Sequence, residues 1–160
     1  MRFQVRQRVF SIGDKFTIRD QDENDYFQVH GKVFSLGNKL SFQDMNGNEL
    51  YYIEQKLLRI MAEYSISSHG NIAAICKQRF TFLGSKFDIS SQFGQYAVDG
   101  KPLNYNYTIT KNGYIVATID KKFFSLTDTY GVEINDEEDY ALILCLVIVI
   151  DQVVHHNNNN

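Results

Sequence analysis

The residues able to do chemistry are dispersed, and their spacing excludes more than it proposes. In "RFQVRQRVF" (Arg2 to Phe10) the even positions Arg2, Gln4, Arg6 and Arg8 alternate with Phe3, Val5 and Val9. Strand side chains alternate between faces, so Arg2, Arg6 and Arg8 fall on one outward face. Three guanidinium groups on one face are candidates for contact with an anionic surface, such as a phospholipid head group. The plainer reading is a solvated edge strand kept from aggregating by its charges. The acidic cluster "DQDENDY" places Asp20, Asp22 and Asn24 at EF-hand ligand spacing. Position six is then Asp25 instead of Gly and position twelve Gly31 instead of Glu, so a hairpin loop is expected in place of a calcium site. A second cluster, "NDEED" (Asn135 to Asp139), reads as a helix cap. The histidines are His30, His69, His155 and His156, with no His-Glu-x-x-His or Cys-x-x-Cys spacing. No metal site and no cofactor are expected. No Gly-x-Ser-x-Gly, phosphate-binding or dinucleotide-binding glycine motif occurs.

These residues must be positioned by a fold, and "DEEDYALILCLVIVIDQVVHH" dictates most of it. The apolar run from Tyr140 to Ile150 is about half of the roughly 20 residues a membrane span needs. Apolar on every face, it reads as a helix over Asp136 to Val154 surrounded by protein. Asn135 or Asp136 is the expected N-cap, with Glu138 completing a capping box. A buried strand is the competing reading, since the run is rich in Val and Ile.

The rest of the chain is strand-like. Phe and Tyr number 12 and 10, with no Trp and one Pro. Short alternating segments predict about twelve strands, near 3–9, 15–20, 26–33, 39–44, 50–56, 62–67, 72–78, 86–90, 95–98, 105–110, 114–120 and 130–134. The connectors "MNGNE", "SHGN", "FGQ", "VDGKP" and "KNGY" carry hairpin chemistry. An all-round apolar helix after twelve strands needs a closed sheet to bury it. The expected fold is therefore mostly β, a closed antiparallel barrel around a central C-terminal helix. One domain over 1–154 and a disordered tail over 155–160 are expected. The chain repeats "FSIGDKF", "FSLGNKL" and "FSLTDTY", and a looser hairpin unit that ends in Lys: "LSFQDMNGNELYYIEQK", "YSISSHGNIAAICK" and "YTITKNGYIVATIDK".

On "VRQRVFSIGDKFTIRD", the hairpin "LSFQDMNGNELYYIEQK" and the ending "FSLTDTYGVEINDEEDYALILCLVIVID", the chain resembles the LURP-one-related family, as a bacterial-type member. That family belongs with the tubby C-terminal domain and phospholipid scramblase superfamily. The resemblance implies a twelve-stranded barrel around a hydrophobic C-terminal helix. Tubby relatives bind phosphoinositides and scramblases act at membranes, so the resemblance points to an anionic phospholipid as a partner class; a protein partner is the other expectation. Ile12, Leu36 and Leu126 stand where relatives often carry Trp.

Charge and cysteine usage bound the function classes. A net charge of −3 argues against nucleic acid as a partner. Basic residues outnumber acidic ones over 1–40, and the reverse holds over 120–160. Two widely separated cysteines, Cys76 and Cys145, make no disulfide framework, and no signal-peptide pattern opens the chain. A cytoplasmic protein, peripheral to the membrane if it meets one, is expected. A non-enzymatic binding module is the leading expectation, because the helix fills the lumen where a small-molecule site would form. An enzyme with an unrecognised site at the barrel rim is the alternative.

Overall fold

The computed structural model describes residues 1–6, 15–32, 36–81, 84–121 and 129–156. Twelve antiparallel strands form a closed barrel in which each strand pairs with its sequence neighbours and the first pairs with the last. They are β1 (Arg2–Arg6), β2 (Lys15–Asp20), β3 (Asp25–Gly31), β4 (Lys39–Asp44), β5 (Glu49–Gln55) and β6 (Glu63–Ser68). There follow β7 (Asn71–Thr81), β8 (Gly84–Ser91), β9 (Gly94–Lys101), β10 (Asn106–Lys111), β11 (Tyr114–Asp120) and β12 (Thr129–Ile134). A 3-10 turn, Pro102–Asn104, links β9 to β10, and α1 (Tyr140–His156) closes the described chain. Every expected strand overlaps an observed one; residues 7–9 of the first lie outside the described residues. Closure is made by the β1–β12 ladder, with Phe3 opposite Val132 and Val5 opposite Tyr130.

Alternation does what the pattern requires. Phe3 and Val5 of β1, Ile18 of β2, Val29 of β3, Phe42 of β4 and Ile53 of β5 point inward and are buried. They enclose α1, in which every residue from Leu142 to Ile150 is at most 1 % exposed. The helix is thus shielded on all sides by sheet. This resolves the competition between helix and strand: a closed sheet leaves no edge for another strand, but its lumen accepts a helix whose backbone bonds are internal.

The helix starts later than expected, and its cap is a different residue. Asp139 accepts a hydrogen bond from the Leu142 amide at 3.0 Å, three residues on, as an N-cap does. Asn135 instead opens a turn, its carbonyl accepting the Glu138 amide at 3.1 Å. The chain needs those residues to turn from the barrel wall onto its axis, so Asn135 and Asp136 cannot be helical caps. The helix also continues through His155 and His156, past the expected end at Val154.

The barrel has two dissimilar rims. The entry rim, where α1 begins, carries the tight hairpins. His69–Gly70 and Asn112–Gly113 are two-residue turns with positive φ at both positions, the type I′ geometry that matches strand twist. The β2–β3 and β4–β5 loops are near copies. Asp20 accepts the amides of Asp22 and Asn24, and Asp44 those of Asn46 and Asn48, all at 2.9 Å. The heptapeptide repeat therefore extends through the loop, Phe10 to Asn24 matching Phe34 to Asn48 in sequence. "VDGKP" is not a hairpin turn. Gly100 lies within β9, where a Cβ would stand 2.7 Å from the Asn106 carbonyl oxygen of β10. Its glycine serves close strand approach, a role turn chemistry in the sequence cannot distinguish. The connection follows at Pro102–Asn104 on the other, exit rim.

Candidate functional site

Arg2 is exposed on β1 and its Nε lies 3.4 Å from a Glu133 carboxylate oxygen on β12, at the entry rim. Arg6 ends β1 at the exit rim. Arg8 lies outside the described residues. The strand direction therefore separates Arg2 from Arg6 along the barrel axis, although both share the parity opposite to inward Phe3 and Val5.

Antiparallel strands sort the remaining charges by rim. Lys15, Lys32, Lys39, Lys56, Arg59 and Lys101 stand on strand ends or loops of the exit rim. Lys77, Arg79, Lys86 and Lys121 lie on the exit-side stretches of β7, β8 and just after β11. The entry rim carries Asp20, Asp22, Asp44, Glu49, Asp136 and Glu137 instead. The cause is topological. Each hairpin unit leaves the exit rim, turns at the entry rim and returns, so the Lys that ends each unit (Lys56, Lys77, Lys121) arrives at the same end. Acids at the exit rim are outnumbered locally: Glu54 is shared by Lys39 and Lys56, each at 3.2 Å. Those lysines hold its carboxyl below the ordinary carboxylate range. Arg59 approaches Glu63 at 3.7 Å, and Arg79 pairs with Asp88.

Two open clefts lie on the exit rim. One, of about 520 Å³, is lined by Gly100, Lys101, Asn104, Asn106, Asp120 and Lys121. The other, of about 360 Å³, runs beside the β5–β6 loop past Leu58, Arg59, Ile60 and Lys77. A further groove, of about 680 Å³, is on the entry rim among Glu133, Asp136 and Glu137. Its carboxylates oppose any anionic ligand. Beneath the exit rim the end of α1 is anchored by a buried polar cluster. The Tyr105 hydroxyl donates to Asp151 at 2.6 Å, and the Tyr105 and Tyr130 rings stack at 4.5 Å. Burial, then the Asp151 charge, pushes the Tyr107 and Tyr130 hydroxyls well above their ordinary values.

With this architecture in view, the comparisons decide the family. The LURP-one-related family model matches residues 1–151. The chain belongs to the LURP-one-related family. The uncharacterized protein YxjI of Bacillus subtilis (strain 168) is 33% identical over 147 residues, covering 92% of this chain and 90% of that one. A protein of Arabidopsis thaliana solved by X-ray crystallography shares the fold with a TM-score of 0.71 at 21% identity, covering 95% of this chain and 91% of that one.

For this family member the other chemically able residues are dispersed. Cys76 and Cys145 are unpaired and buried. Burial pushes the Cys76 thiol up to about 12 and Cys145 well above its ordinary value, which removes nucleophilic thiolate at neutral pH. His30 lies one residue before the end of β3 near the exit rim, 3.3 Å from the Gln28 side chain, while His69 sits in an entry-rim turn. Among the described residues no group of histidines, cysteines and carboxylates could hold a metal. No described helix is long and apolar enough to cross a membrane. The sorting of lysines to one rim was missed in the sequence as a site, although the units ending in Lys carried its trace.

Proposed function

We propose that the domain is a non-enzymatic binding module of the cytoplasm that docks its exit rim on an anionic phospholipid surface. The observation that carries this reading is the division of charge between the rims. A net negative chain meets an anionic bilayer only if its acids are held away from it. A six-residue strand spans about 20 Å, whereas charges are screened over about 8 Å at physiological ionic strength. The acidic rim is therefore electrostatically remote when the basic rim faces the surface. Each lysine or arginine near such a surface contributes about 1 kcal/mol, and the exit rim offers several. The 520 Å³ cleft with Lys101 and Lys121 is of a size to receive a head group. The packed lumen supports external contact, since it leaves no interior ligand space. The tubby and scramblase likeness points the same way.

Co-sedimentation with phosphatidylserine-containing vesicles tests it. The chain is expected to pellet with these at low salt, less at physiological salt, and not with phosphatidylcholine alone. Lys15→Glu, Lys32→Glu and Lys101→Glu together should abolish binding, and Arg2→Ala at the acidic rim should not. Absence of binding at low salt overturns the reading and leaves a protein partner as the alternative.

A further inference from the structure

The exit rim also exposes aliphatic side chains that the barrel does not use. In the β5–β6 loop, "KLLRIM" (Lys56 to Met61), Leu58 and Ile60 are 104% and 103% exposed, as open as in an extended chain. Leu36, beside this loop in the β3–β4 connection, is 80% exposed. Leu58 holds φ +58, a left-handed conformation that a bulky residue adopts at a cost. The loop's base is firm. The Lys56 amide donates to the Glu63 carbonyl at 2.8 Å, the Gln55 amide to Asn38 at 2.8 Å and the Gln78 amide to Ala62 at 2.9 Å. Leu57 packs over Gly37, where a Cβ would lie 2.8 Å from its Cδ2. The result is an anchored stem with an apolar tip, and Arg59 between the two exposed aliphatics.

We infer that the tip of the β5–β6 loop inserts Leu58 and Ile60 into the head-group and acyl boundary of an acidic bilayer; the inference rests on the docking reading above. Single exposed apolar residues are ordinary on protein surfaces, and the entry rim has some, Tyr114 and Ile115 among them. Ile115 lines a groove with Asp136 and Glu137 and Tyr114 is its chain neighbour, a setting an anionic bilayer repels. Leu58 and Ile60 stand among Lys56, Arg59 and Lys77, whose long stems extend along apolar surface while their charges meet phosphates. Two or three aliphatic side chains fall far short of the roughly 800 Å² that each partner buries in a stable protein interface. A membrane imposes no such minimum, so the bilayer is the occupant the tip fits.

The chain contains no Trp, so Leu58→Trp and Ile60→Trp each install a unique fluorophore at a position whose side chain touches nothing. Both should shift to shorter wavelength on addition of phosphatidylserine-containing vesicles and be quenched by lipids brominated near the head group. Tyr114→Trp, at the opposite rim, should do neither. Leu58→Asp with Ile60→Asp should weaken vesicle partition by about tenfold or more, with an unchanged melting temperature. Sedimentation of the native chain with vesicles, without a shift at 58 or 60, overturns insertion and leaves electrostatic docking standing. No sedimentation of the native chain removes the docking reading itself, and insertion with it. A shift that depends on protein concentration in the absence of lipid overturns insertion in favour of a second copy as the occupant.

Discussion

The two rims of the barrel solve the same problem, returning a chain between antiparallel strands, with opposite materials. At the entry rim the polar groups serve the fold. Asp20 and Asp44 bind the amides of their own loops, Asp139 caps the helix, and the Tyr51 hydroxyl donates to that same carboxylate at 2.6 Å. Lys111 meets Glu138 at 3.0 Å beside the Tyr96 ring. At the exit rim, Leu58 and Ile60 bury nothing, and the cations outnumber the acids with which Lys39, Lys56, Arg59 and Arg79 pair. Exposed aliphatic side chains that bury nothing are where function is sought, and on the exit rim they lie among an excess of cations.

The largest test of this contrast concerns what the entry rim introduces into the lumen. About a dozen buried apolar side chains on α1 contribute about 20–35 kcal/mol as an upper estimate, against a net stability of about 5–15 kcal/mol for a typical domain. A chain ended at Asn135 is expected not to fold, as judged by loss of a cooperative melting transition. A cooperative transition in that truncated chain would mean that the sheet closes without its core.

A smaller effect compares single residues from the two rims. Asp139→Ala removes the cap and strands the Tyr51 hydroxyl, at an expected cost of about 2–4 kcal/mol in denaturant unfolding. Leu58→Ser should change stability by no more than about 0.5 kcal/mol. Equal costs would erase the distinction between a structural rim and a functional one.

The smallest effect is a pH dependence. The Asn24 side chain and then the loop amides hold the Asp20 carboxyl below its ordinary value of 3.8, and Asn48 does the same for Asp44. A lowered folded-state pKa means that the contribution is complete above the unfolded value and lost as pH falls through the folded one. The melting temperature should therefore decline below about pH 3.8 and be flat with respect to these groups at neutral pH. Asp20→Asn with Asp44→Asn should remove part of the acid-side decline; an unaltered decline would show that the loops do not prefer the ionised form.

Much of the fold was legible in the sequence because each signal is local. Alternation in Phe16-Thr17-Ile18 or Tyr107-Thr108-Ile109 places one residue in the core and its neighbour towards solvent, and Asn112-Gly113 encodes its own turn. The all-round apolar run from Leu142 to Ile150 demanded enclosure. What failed was local too, but ambiguous: Asn135, Asp136 and Asp139 all suit a cap, and only the route from wall to axis selects Asp139. Gly100 suits a turn or a close approach, and only the neighbouring strand decides. The candidate site was scarcely legible, because its cations come one or two per strand from nearly the whole chain. The arginines of the first strand read as one face, yet strand direction sends Arg2 to one rim and Arg6 to the other.

Hydrogen exchange of the chain bound to phosphatidylserine-containing vesicles tests the division of labour between rims most directly. Slowed exchange relative to the free protein is predicted at the exit rim, in 56–62 and 101–105, with no change in the entry-rim turns 45–48, 69–70 and 112–113. Slowing confined to the entry rim, or spread equally over both, would contradict it.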